Sequence, residues 1–244
     1  MSLSDLPLDE LNSAQRFQVE MHLEQGQAID KKGIREFLDT LWYPLCFFDF
    51  ETFTSAVPLY EGTKPYQQIP FQFSLHIQKR KGGPVKHVEF LAEPNCDPRP
   101  FLIEAMLKHI PQKACVMAYY MAFEKSRIKE LIDAFPQHAD SLTQILNNVR
   151  DLIVPFKKRY AYRWQQRGSN SIKNVLPVFV PELSYDDLPI SNGGMAMDAY
   201  HLMCQEPDPV QRQLLRDQLT AYCRLDTEAM VRLLETLRTL ADDK

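Results

Sequence analysis

Four acids and a phenol stand out by their spacing. Asp49 and Glu51 lie two apart in Leu45-Cys46-Phe47-Phe48-Asp49-Phe50-Glu51-Thr52-Phe53, an apolar, aromatic run preceded by Pro44. Such a run predicts a buried strand, on which side chains at i and i+2 share a face. Two carboxylates side by side in apolar surroundings repel each other and are costly to desolvate. A bound divalent cation is the commonest arrangement that makes such a pair favourable. A strand end whose acids reach water, or pair with Arg and Lys, fits the dipeptide equally well. Glu124 follows in Ala118-Tyr119-Tyr120-Met121-Ala122-Phe123-Glu124, where a short apolar segment gives way to a helical pattern. An acid in the first helical turn past a strand can face a cleft, or can simply answer the helix dipole. Asp226 lies four residues after Tyr222 in the last helical stretch, so phenol and carboxylate share one helix face. A half-buried Tyr over a surface Asp would give the same pattern.

The elements that must position these residues are visible in the periodicity. Residues 9–40 read as a helical lead-in, with Leu11, Phe17, Met21 and Leu23 as one apolar stripe and Ile34, Phe37, Leu38 and Leu41 as another. Gly26 and Gly33 interrupt it. Residues 68–78 alternate, with Ile69, Phe71, Phe73, Leu75 and Ile77 on one face and Gln68, Pro70, Gln72, Ser74, His76 and Gln78 on the other, which predicts a half-buried strand. A turn at Arg80-Lys81-Gly82-Gly83 leads to a return strand over 85–91, so the strands near 45–53, 68–78 and 85–91 form an antiparallel meander. Helical patterns follow over 99–110, 122–135 and 141–149, with a short strand at 114–119 between the first two. Ser171 suits the N-cap of a short helix ended by Pro177 and Pro181, and helices are expected at 195–204 and about 210–240. A meander followed by strand–helix alternation predicts an α/β fold with helices on both faces of a mixed sheet. All of this reads as a single domain over 1–244, with 1–44 as the lead-in, and the chain could be one piece of a longer protein.

Two stretches invite a substrate. The loop 54–67 is long for a hairpin connection and adjoins the Asp49 strand; it would handle substrate or be an ordered surface loop. Over 151–167, Lys157, Lys158, Arg159, Arg163 and Arg167 alternate with Phe156, Tyr160, Tyr162 and Trp164. That mixture suits a phosphate backbone with stacked bases, or a solvated basic face whose aromatics turn inward. The formal charge of −4 excludes a global basic field, though not a local one. The cysteines, five in number and without Cys-x-x-Cys spacing, suggest reduced thiols in the cytoplasm rather than a disulfide framework or a zinc site. No apolar stretch is long enough to predict a membrane span.

Taken together, Asp-x-Glu on a first strand, an acid opening a helix after a later strand, and Tyr-x-x-x-Asp in a C-terminal helix resemble the DEDD (DnaQ-like) superfamily of 3′–5′ exonucleases. The resemblance runs from about Pro44 to Leu237. Phe48-Asp49-Phe50-Glu51-Thr52 is similar to that superfamily's first motif. Ala122-Phe123-Glu124 is similar to its second, and Tyr222-Cys223-Arg224-Leu225-Asp226 to the third motif of its tyrosine subclass. A narrower resemblance, to an uncharacterised bacterial domain family, rests on Asp-Phe-Glu-Thr, Phe-Glu-Lys-Ser-Arg and Asn-Gly-Gly-Met-Ala-Met at 49–52, 123–127 and 192–197.

The resemblance implies an RNase H-like three-layer α/β/α fold and two Mg²⁺ or Mn²⁺ ions held by Asp49, Glu51, Glu124 and Asp226. It further implies Tyr222 orienting the attacking water, and single-stranded DNA or RNA as substrate, shortened from its 3′ end. Phe53, Tyr66, Gln72, Lys157, Lys158 and Arg159 are candidates for holding the strand. The second motif ordinarily carries Asp, so Glu124 departs from it by one methylene, and Asp151 in Arg150-Asp151-Leu152-Ile153 is the substitute ligand. Because Mg²⁺ demands near-ideal geometry, this departure leaves one other reading open, and the modest overall charge, ill suited to a long polyanion, leaves a second. One is a nucleic-acid-binding module whose catalysis is weakened. The other is a metal-dependent phosphohydrolase of a small nucleotide.

Overall fold

Apolar alternation builds a central sheet, and the computed structural model describes residues 3–242 of the chain. Met1 and Ser2 of the expected lead-in lie outside the described residues. In chain order the elements are α1 (Ser13–Leu23), β1 (Gln27–Ile29), α2 (Lys31–Leu38), β2 (Leu45–Phe53), β3 (Ile69–Gln78), β4 (Val85–Leu91), α3 (Pro98–His109), β5 (Cys115–Ala118), α4 (Ala122–Ala134), α5 (Ala139–Asn147), β6 (Val149–Asp151), α6 (Val154–Lys157), β7 (Ala161–Arg163), α7 (Ile172–Phe179), α8 (Gly193–Gln205) and α9 (Pro209–Asp242). They divide into two compact units. One comprises Met1–Thr40, Ile153–Ser184 and Arg232–Lys244, and the other Leu41–Leu152 and Tyr185–Val231.

The larger unit holds a five-stranded mixed sheet in the order β4-β3-β2-β5-β6. The expected meander forms: β2 pairs antiparallel with β3, and β3 with β4. β5 then runs parallel to β2, and β6 parallel to β5. Phe48, Phe73, Leu75 and Val116 pack on one side against Leu102 and Met106 of α3, Ile128 of α4 and Leu142 of α5, all buried. The architecture is mixed α/β with flanking helices.

β3 departs from the half-buried strand expected for it. Gln72, Ser74, His76 and Gln78 are buried like their apolar neighbours. The reason is tertiary: α9 lies over the polar face and meets Gln72, Ser74 and His76, while Gln78 Nε2 donates to the Gly83 carbonyl. Gln72 Nε2 donates to the Leu219 carbonyl at 3.0 Å, and Thr227 Oγ1 lies 2.6 Å from Ser74 Oγ and 2.8 Å from His76 Nδ1. Buried polar side chains persist only where such partners exist.

The smaller unit corrects the reading of 9–40 as wholly helical, interrupted only at Gly26 and Gly33. Asn12 caps α1 reciprocally with Gln15, but three residues after Gly26 form β1, paired antiparallel with β7. Gly33 is required in α2, because a Cβ there would come within 2.5 Å of the Tyr160 ring. Pro177 sits inside α7 instead of ending it. Among the described residues no helix is long and apolar enough to cross a membrane.

Candidate metal centre

All the acids singled out by sequence fall in the larger unit, and β2 and α9 bring most of them together. Asp49 pairs across the sheet with Ser74, and Glu51 with Gln72, so both acids share the face on which α9 rests. The hydrogen bonds from Leu219 and Thr227 anchor α9 on either side of Tyr222, Cys223 and Asp226. One ligand atom each from Asp49, Glu51 and Cys223 lie within 4.8 Å of one another. Cys223 is fully buried, and burial, followed by the charge of Asp49, holds its thiol well above its ordinary pKa. It is therefore a neutral S–H against the acids rather than a thiolate.

α4 supplies the fourth carboxylate. β5 ends at Ala118, and Tyr120 adopts a left-handed conformation (φ 68°) that turns the chain into α4. This conformation is uncommon for a non-glycine residue, and Asp151 holds it. Its Oδ1 accepts from the Tyr120 amide at 2.9 Å and its Oδ2 from the Met121 amide at 3.1 Å, capping a helix whose own N-cap residue offers no side-chain acceptor. Glu124, one turn on, is 3% exposed, and its Oε2 is buried with no hydrogen-bond partner. Its carboxyl reaches that of Asp49 closely enough for a hydrogen bond between them. Both oxygens of Asp151 are thus engaged by backbone amides, whereas Glu124 faces the other acids.

The electrostatics follow from burial and like charge. Burial raises Glu124 to about 8, with the charge of Asp151 adding to it. Asp49 is pushed well above the carboxylate range, first by burial and then by the charges of Asp226, Glu124 and Glu51. At neutral pH the metal-free cluster retains a proton between Asp49 and Glu124, because converging carboxylates cannot all ionise without a counter-charge. The donors are hard oxygens, one of them orphaned in the interior. That is the set a Mg²⁺- or Mn²⁺-sized cation takes, and Asp49, Glu51, Glu124 and Asp226 could hold it.

Two further features border the acids: Tyr185, which no sequence signal announced, and the Gly-Gly turn before α8, which the sequence shows but does not place beside them. The Tyr185 hydroxyl donates to Asp226 Oδ1 at 2.6 Å, and both groups are buried. Tyr185 carries no periodic signal, since it stands in an irregular stretch. The Asn192-Gly193-Gly194 turn opens α8, with Asn192 Oδ1 accepting from the Met195 amide. A Cβ at Gly193 would lie 3.7 Å from Glu51 Oε2, so the start of α8 borders the acids.

The residues expected to hold a nucleic-acid strand are more scattered. Phe53 is 2% exposed, its ring stacked 5.5 Å from that of Tyr200, and it is part of the core. Gln72 is buried opposite Glu51, with its Oε1 unpartnered. Tyr66 is 71% exposed in the loop after β2. Lys157, Lys158 and Arg159 belong to the other unit, where Arg159 lies over the Phe17 ring and donates to the Ala14 carbonyl. Of the aromatics beside them, Phe156 and Tyr162 are buried in that unit's core.

Fold and site together define a mixed α/β protein with a buried cluster of acids on its central sheet. Residues 46–171, more than half the chain, match a family described as Domain of unknown function (DUF2779), and the chain belongs to that family. The matched segment includes Asp49, Glu51, Glu124 and Asp151. The chain is 27% identical over 230 residues to an uncharacterized protein of Mycoplasma pneumoniae, a homolog of MG366, covering 83% of this chain and 34% of that protein. It is 26% identical over 228 residues to the uncharacterized protein UU173 of Ureaplasma parvum, covering 81% and 31%. It is 23% identical over 234 residues to the uncharacterized protein MG366 of Mycoplasma genitalium, covering 85% and 34%. The chain thus spans about a third of the length of these relatives. No solved structure matches it.

Proposed function

We propose that this chain is a metal-dependent 3′–5′ exonuclease domain of RNase H-like fold, acting on single-stranded DNA or RNA. The observation that carries the reading is the convergence of Asp49, Glu51, Glu124 and Asp226 with a buried carboxylate oxygen of Glu124 left unpartnered. Such an arrangement is unfavourable unless a cation completes it. The mixed sheet, a meander continued by two parallel strands and flanked by helices, is compatible with the proposed fold. When bound, two Mg²⁺ or Mn²⁺ ions would offset the charge that develops on the attacked phosphodiester and its leaving oxygen.

The chain's own residues do the rest. Asp49, Glu51, Glu124 and Asp226 would hold the cations, and Asp151 fixes the turn that aims Glu124. Tyr222 lies one helical turn before Asp226; burial and the charge of Asp226 keep its phenol protonated. It therefore orients the attacking water by hydrogen bonding and does not take its proton. The exposed Tyr66, on the loop after β2, provides a ring for a base to stack on.

The test is cleavage of end-labelled single-stranded DNA and RNA by wild type and Asp49→Ala, in Mg²⁺, Mn²⁺ or EDTA. The expected result is a ladder that shortens from the 3′ end, requires the metal and is lost in Asp49→Ala. No cleavage of either polymer under any metal would overturn the reading. Strand binding without cleavage would leave a binding module on the same fold, and release of phosphate from a mononucleotide ester instead would leave a small-molecule phosphohydrolase.

A further inference from the structure

Asp226 is held by a group that no motif accounts for. The Tyr185 hydroxyl donates to its Oδ1 at 2.6 Å, with the tyrosine and the aspartate both buried. Tyr185 is the second phenol against this carboxylate: its ring centre lies 6.3 Å from that of Tyr222, which sits one turn before Asp226 on α9. The two tyrosines reach Asp226 differently. Tyr222 is fixed by the helix itself, whereas Tyr185 comes from the stretch that precedes α8, 41 residues away in sequence.

A short hydrogen bond from a neutral donor to a carboxylate does two things. It fixes the side-chain rotamer, and it occupies one of the two lone-pair sites on one oxygen. While the bond stands, binding a cation through both oxygens is disfavoured, because Oδ1 already gives a lone pair to the phenol. A cation that took both oxygens would compete with the tyrosine in a buried site, where a displaced hydroxyl would find no water. Mg²⁺ and Mn²⁺ sites are octahedral, with short bonds and one-oxygen carboxylates. Ca²⁺ is larger, takes more ligands and readily accepts a carboxylate through both oxygens.

We infer that Tyr185 is a positioning residue that keeps Asp226 a one-oxygen ligand and thereby sets the site's preference for a small octahedral cation over a larger one. The inference rests on the proposed cation site. It goes beyond it by assigning metal selectivity to a residue outside the acidic motifs.

The test is isothermal titration of the metal-free chain with Mg²⁺ alone and with Ca²⁺ alone, in wild type and in Tyr185→Phe, without nucleic acid. The expected result is that Y185F weakens Mg²⁺ binding by about tenfold, the usual scale for loss of a group that orients a ligand. Ca²⁺ binding holds or tightens, so the Ca²⁺/Mg²⁺ affinity ratio rises. A residue that only supported packing would weaken both cations equally and leave the ratio unchanged, and that result would overturn the inference. Tyr185→Met, which fills the space without a hydroxyl, carries the same expectation if Y185F does not fold. Failure of both variants to fold would mark Tyr185 as structural and overturn it as well. Absence of cation binding by the wild type would overturn the cation site itself, an outcome distinct from an unchanged ratio.

Discussion

At the scale of single residues, Glu124 and Asp151 show how a carboxylate takes opposite roles around one turn. Asp151 accepts from two amides and is satisfied; Glu124 ends on an oxygen that nothing satisfies. The consequence is a pH dependence of known sign. An unfolded glutamate releases its proton near 4.5, whereas Glu124 in the fold keeps it to about 8. Between those values the folded state binds more protons, so metal-free stability is greatest below the window and is lost as pH rises through it. Melting in EDTA should therefore fall from pH 7 to pH 8, above the range in which the buried His76 and His87, with lowered pKa values, add a rise of their own, and Glu124→Gln should flatten that slope; a melting temperature that climbs over this range in both proteins would contradict the assignment. The sequence made Asp49, Glu51, Glu124 and Asp226 legible because their motifs tie each acid to a strand or helix position. Tyr185 was not legible, because its partner is distant in sequence and the stretch around it has no period to read.

At the scale of elements, the hydrogen bonds between β3 and α9 decide what the acids face. Thr227→Val keeps the shape but takes from His76 Nδ1 its partner and from Ser74 Oγ one of its two, the other being His87 Nε2. The loss should be about 1–3 kcal/mol, the cost of unpaired buried polar groups, measured by urea denaturation. Asp151→Ala leaves the Tyr120 and Met121 amides of the turn into α4 without their acceptor and should cost about 1–3 kcal/mol, with Asp151→Asn milder because it keeps one acceptor. Equal stability of wild type and Asp151→Ala would mean that the cap is not what holds the start of α4. The same elements explain where periodicity succeeded. β2 and β4 match their expected bounds, because a short apolar run and the turn signals that bound it are local properties. The polar face of β3 alternates just as cleanly, yet α9 buries it, and no local pattern announces a helix that arrives more than a hundred residues later. β1 was missed for the opposite reason: a three-residue strand is too short to have a period.

At the scale of the molecule, the acids belong to one unit and the Lys157–Arg159 cluster to the other. Whether the cluster serves the acids is thus a separate question from whether the acids bind a cation. The cation question has its own whole-molecule readout. A ligand that binds only the folded state stabilises it by about 2.7 kcal/mol at a hundred times its Kd. Mg²⁺ or Mn²⁺ should accordingly raise the melting temperature of the wild type and leave that of Asp49→Ala unmoved; an equal rise in both would place the bound ions elsewhere. The carboxyl pair formed by Asp49 and Glu124 adds a last consequence. Near neutral pH that pair is not an empty receptacle but an occupied one, with a proton where the cation would go. Loading the site is then an exchange reaction. Each cation taken up must expel hydrogen ions into the buffer, the observed heat of binding must vary with the ionisation enthalpy of that buffer, and the cell's acidity becomes a competitor for the site on equal terms with any other cation.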